Sequence, residues 1–74
     1  MPQEAIVLFA HGARDPEWAG PAMRVAAEVQ RLRPDVRVQV AFLEFMEPTL
    51  GAAVEAAAAS GVRQLRVVPL FLAQ

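Results

Sequence analysis

Apolar residues along this chain fall into three short runs, separated by two stretches with helical spacing. Residues 4 to 10, Glu-Ala-Ile-Val-Leu-Phe-Ala, are apolar at every position after the first. A run with no polar alternation predicts a strand covered on both faces, as in the middle of a parallel sheet. A helix is expected from near Pro21, or a few residues before it, to about Arg33. Trp18, Ala22, Val25, Ala26, Val29 and Leu32 recur there at helical spacing, and Pro21 suits a first turn. Arg24, Glu28 and Arg31 fall on the opposite face, and Pro34 ends the helix. Trp18 is read as packing against the sheet.

The second strand, Val36 to Glu44, opens with alternation. Val36, Val38, Val40 and Phe42 face one way and Arg37 and Gln39 the other, a pattern suited to a strand at the sheet edge. The alanine-rich segment from about Pro48 or Thr49 to Ser60 predicts a second helix with a thin apolar face, Leu50, Ala53, Val54, Ala57 and Ala58. Gly61 is placed to close it with a left-handed cap. The third strand, Gln64 to Ala73, is apolar on both faces, as a central strand would be, although Pro69 points to a bulge or an edge.

The order strand, helix, strand, helix, strand gives an α/β chain, a βαβαβ three-layer half of a doubly wound parallel sheet. Right-handed connections and strand order 2-1-3 put the two helices on opposite faces and the first strand in the centre. The third strand then becomes an apolar, unprotected edge, which folded proteins avoid. Residues 1–74 are therefore expected to be one domain that forms the first half of a larger one, or that pairs with a partner chain.

Composition narrows the classes. The chain has 74 residues, 55% of them hydrophobic, yet no run approaches the roughly 20 apolar residues of a membrane span. All seven basic residues are arginines scattered among eight acids, so no basic face marks a nucleic-acid partner. The absence of cysteine excludes disulfides and thiolate metal sites. No basic residue precedes the first apolar run, so a cytoplasmic protein is expected.

Candidate chemistry centres on the only histidine, His11, which opens the turn His11-Gly12-Ala13-Arg14-Asp15-Pro16 at the carboxyl end of the first strand. In open α/β sheets ligands bind at that rim, at the point where the strand order reverses. Glu44 ends the second strand and Gln74 the third on the same rim. An imidazole and a carboxylate there could share a divalent metal or exchange protons. His11 is read as functional in preference to a partly buried imidazole hydrogen-bonded in a turn. For Glu44 both a functional role and a simple loop position stand. Arg14 and Asp15 fit a solvated turn or helix cap, and Arg14 alternatively suits an anionic ligand. Glu17 and Glu47 are assigned to solvent-facing positions near helix starts.

The segments Leu8-Phe9-Ala10-His11-Gly12-Ala13-Arg14-Asp15-Pro16, Ala41-Phe42-Leu43-Glu44 with Pro48-Thr49-Leu50, and Val67-Val68-Pro69-Leu70-Phe71-Leu72-Ala73 together resemble the small class II chelatases, the sirohydrochlorin cobaltochelatases and ferrochelatases. The resemblance covers nearly the whole chain. It implies insertion of Co2+, or alternatively Fe2+ or Ni2+, into a sirohydrochlorin-type tetrapyrrole in cobalamin or siroheme synthesis, with the metal as substrate and no resident cofactor. It implies that His11 binds metal and is catalytic, and that Glu44 assists with metal or protons. Arg14 and Gly12 are the expected substrate-binding positions. It also implies a second active-site histidine on a glycine-rich turn after the third strand, supplied by a C-terminal half or a homodimer. Two other readings remain: a histidine phosphatase, for which Ala10 stands where an arginine is expected, and a non-enzymatic α/β interaction module.

Overall fold

The computed structural model describes residues 3–71. Strand β1, Glu4–Ala10, is followed by a single 3₁₀ turn, Pro16–Trp18, and helix α1, Ala19–Leu32. Strand β2 is Arg37–Phe42, helix α2 is Leu50–Ala59 and strand β3 is Gln64–Leu70. The three strands form one parallel sheet in the order β2-β1-β3. The topology is the expected one, and β1 is central.

Burial follows from that position. Ala5, Val7 and Leu8 of β1 are all buried, because helices cover both faces of the sheet. Helix α1 packs through Ala22, with Ala26 and Val29 at the margin, on Leu8, Ala10, Val40 and Phe42. On the other face Ala53 of α2 closes on Val7 and Ala41. Alanine at 53 and 57 lets α2 approach the sheet with both side chains fully buried.

Helix ends follow local chemistry. The Thr49 side chain accepts the Ala52 N–H at 3.2 Å, which satisfies one orphan donor of α2. At its other end Gly61 takes φ +87°. The Gly61 N–H donates to the Ala58 carbonyl and the Val62 N–H to the Ala57 carbonyl, a complete Schellman closure. Gln30 ties α1 to β2. Its amide donates to the carbonyls of Arg33 and Val36 and accepts the Val38 N–H. At the amino end of the sheet Glu4 pairs with Arg66 at 2.9 Å and with Arg33 at 3.6 Å, and Arg33 also pairs with Asp35 at 3.0 Å. Arg31 and Glu28 pair on the solvent face of α1 as their spacing predicts.

Some expectations change. Trp18 does not pack on the sheet: it ends the 3₁₀ turn, ahead of α1, and is 63% exposed. Alanines on an adjacent stripe of α1 take its place, because small side chains let the helix lie closer to β1 and β2. Val25 and Leu32, on the same flank as Trp18, are exposed as well. Strand β2 ends at Phe42 and not at Glu44, and there the outward Phe42 N–H donates to the Pro48 carbonyl of the returning loop. Strand β3 ends at Leu70, and Gln74 lies outside the described residues.

Among the described residues β3 is an edge strand. Val67 is 41% and Val68 40% exposed, so neither face is covered. Gln64 donates its N–H to Gln3 on the β1 side. Period two then turns positions 65, 67 and 69 outward, which places Pro69, with no N–H to give, on the open edge. Among the described residues no helix is long and apolar enough to cross a membrane.

Candidate functional site

The site is built where the β1–β2 ladder continues past both strand ends. The Leu43 N–H donates to the Ala10 carbonyl at 2.9 Å, and the Glu44 N–H to the His11 carbonyl at 3.3 Å. Gly12 makes this approach possible. Its φ is +89°, and a Cβ placed there would lie 2.0 Å from the Glu44 carbonyl oxygen. Any side chain at position 12 would push the two segments apart. His11 and Glu44, separated by a helix and a strand in sequence, are thus joined backbone to backbone at the carboxyl rim.

The rest of the rim loop is pinned at its neck. Phe42 donates to Pro48, and Thr49 bridges back to Phe42, so residues 43–48 leave the sheet and return beside their point of departure. Leu43, Glu44, Phe45 and Glu47 in that loop are exposed, and Met46 folds back onto the α1-side core. Phe45 has φ +67°, the left-handed region that a bulky residue avoids at about 1–2 kcal/mol.

His11 is exposed, and its imidazole makes no hydrogen bond among the described residues. The alternative of a partly buried, hydrogen-bonded turn histidine is therefore not what is found. The ring is held by packing. It meets the Phe71 ring edge-on, centroids 5.7 Å apart at 70°, and Phe71 leans on Phe9 at 5.4 Å. Among the described residues no group claims either imidazole nitrogen. Among the described residues no three metal-ligating side chains gather at one point, so His11 and Glu44 are at most a two-ligand set.

Arg14 lies beside the same rim. Its guanidinium carbon sits 4.9 Å above the Phe45 ring, and it forms no ion pair among the described residues. Asp15 acts as the cap expected of it and accepts the Glu17 N–H at 3.0 Å. A groove of about 320 Å³ runs between Arg14, Phe45, Met46 and Met23. A second groove, about 340 Å³, lies at the amino end of the sheet between Glu4, Asp35 and Arg63. It adjoins the salt bridges that brace the strands and carries no imidazole.

Sequence reasoning missed Phe71 and Phe45. Phe71 was detectable in principle: the register pairs Ala10 with Leu70, so the next pair is His11 with Phe71. Phe45 had no such signal, because its ring faces Arg14 only after the loop has turned.

The open parallel α/β sheet thus carries an imidazole, a glycine contact and an acid on its carboxyl rim, the rim at which sheets of this class bind ligands. The CbiX family model matches residues 5–74. The sirohydrochlorin cobaltochelatase of Methanopyrus kandleri is 42% identical over 69 residues, 93% of this chain and 48% of the relative. That of Methanosarcina barkeri is 37% identical over 68 residues, 92% of this chain and 52% of the relative. A crystal structure of a cobalamin (vitamin B12) biosynthesis CbiX protein from Marinobacter aquaeolei VT8 superposes with a TM-score of 0.78 at 35% identity, covering 96% of this chain and 57% of that one. The chain belongs to the CbiX family. It spans about half the length of the curated relatives it matches. The family match leaves the phosphatase reading without support.

Proposed function

We propose that this chain carries the metal-handling half of a sirohydrochlorin chelatase. The observation that carries the reading is the exposed, unclaimed His11 at the end of β1, fixed beside Glu44 through Gly12. The names of the relatives at 42% and 37% identity support cobalt as the metal and a tetrapyrrole as the acceptor.

Charge dictates the chemistry. A dication enters the macrocycle and two pyrrole protons leave. Neutral His11 presents the metal through a ring nitrogen, or takes one proton once the metal is released. Glu44, solvent-exposed, orients the metal or takes the second proton. Gly12 keeps the His11 and Glu44 segments together beneath the substrate, and Arg14 holds a peripheral carboxylate. We place the reaction in the cytoplasm, and we infer that the open edge of β3 takes up a further strand from the same or a second chain.

The test is cobalt(II) insertion into sirohydrochlorin, followed by absorbance, together with cobalt titration observed at the His11 ring by NMR. His11→Ala is expected to lose about 100-fold or more of the rate. Unchanged turnover in that variant, or a His11 ring indifferent to cobalt, overturns the assignment.

A further inference from the structure

We propose that Arg14 and Phe45 form a clamp for the carboxylate of a flat, conjugated ligand, in which Phe45 is the residue that positions the guanidinium. The inference deepens the reading of Arg14 given above and rests on it. Four observations meet here. Phe45 holds a left-handed backbone, which bulky residues adopt only when something over-determines it. Its ring is 56% exposed, so the conformation does not serve to bury it. The face of that ring lies under Arg14, with the guanidinium carbon 4.9 Å from the centroid. Arg14, like Arg24, Arg37 and Arg63, has no carboxylate partner among the described residues, but it is the one of these four whose guanidinium lies over an aromatic ring.

A guanidinium stacked on an aromatic face keeps its N–H edge free for two parallel bonds to a carboxylate. Stacking also removes the rotamer freedom that a lone surface arginine would lose on binding. The adjoining groove offers Ala13, Pro16, Met23 and Met46, an apolar wall with adaptable thioethers. A ligand that suits both parts is a planar ring with acid on its rim. Glu47 lines the same groove and opposes an anion, so it limits how many carboxylates enter.

The probe is benzene-1,3,5-tricarboxylate, a flat ring with carboxylates and no metal, titrated into this chain and observed by NMR at the Arg14 Nε–H and the Phe45 ring. Saturable shifts at both groups are expected. Arg14→Gln weakens binding about tenfold or more. Phe45→Leu weakens it about threefold and Phe45→Trp restores it, while Glu47→Gln tightens it. Thermal unfolding of Phe45→Leu accompanies the titration. A merely structural Phe45 would lower stability without rescue of binding by tryptophan, and that result overturns the clamp. So does a wild-type chain with no shift at Arg14, or a Phe45→Leu chain that binds as wild type does. Cobalt titration observed at the His11 ring reads His11 independently. Tricarboxylate binding beside a His11 ring indifferent to cobalt overturns the chelatase reading alone, and a cobalt response at His11 with an indifferent Arg14 overturns the clamp alone.

Discussion

Gly12 and Gly61 share a left-handed backbone and differ in what surrounds them. Nothing lies within 4 Å of a Cβ at position 61, so Gly61→Ala carries only the conformational penalty, about 1 kcal/mol. At position 12 the Glu44 carbonyl adds a steric conflict, and Gly12→Ala is expected to lower stability by at least about 2 kcal/mol and to displace the Glu44 loop. Urea unfolding of the two variants side by side checks the difference; equal losses would show that the contact is unimportant. Gly61 is legible in the sequence, because a glycine just past an alanine-rich helix is a local signal. The reason for Gly12 is not local. The turn could be read, but the carbonyl that forbids a side chain comes from another strand. Trp18 misleads for the opposite reason: its spacing fits the helix stripe, yet neighbouring alanines allow a closer approach that leaves it outside.

The strands and helices were more legible than their ends, since hydrophobic period marks an element and hydrogen bonds stop it. At the end of β2 the outward N–H of Phe42 is taken by Pro48, a closure that no apolar pattern records. The α1–β2 junction likewise depends on one side chain that periodicity leaves unmarked. Gln30→Ala removes two donated bonds and one accepted bond, and about 1–2 kcal/mol of stability is expected to go with them, measured by chemical unfolding. Beside it, hydrogen bonding from Arg33 holds the Asp35 carboxyl below the usual carboxylate range. A pKa lowered by folding means stability that is present above the unfolded value, about 3.9, and lost as pH falls through the folded one. Asp35→Asn is therefore expected to be slightly less stable than wild type at pH 6 and to match it in strong acid or high salt. A difference that persists at pH 2 would point to packing instead of charge.

For the molecule as a whole, the strand order and the two-faced burial of β1 followed from the apolar runs taken with the right-handed sense of parallel connections. The partner of β3 did not, because an apolar strand reads the same whether its neighbour comes from its own chain or another. Val67 and Val68 on that open edge are expected to drive concentration-dependent association of the 74-residue chain, and Val68→Lys to suppress it, as sedimentation velocity would show. A wild-type chain that stays monomeric at high concentration argues against edge pairing. The two edges of the sheet are not equivalent. On β2 the outward N–H groups of Val38 and Phe42 are already taken by Gln30 and Pro48, whereas β3 keeps its outward groups free except at Pro69. Of the outward N–H groups at 38, 40 and 42 on β2, only those of Val38 and Phe42 are occupied, so strand addition is favoured at β3 and hindered at β2. Two copies joined through β3 would turn their β2 edges outward, the edges on which Gln30 and Pro48 already occupy two N–H groups, so pairing is expected to stop at two copies more readily than to run on as a fibre.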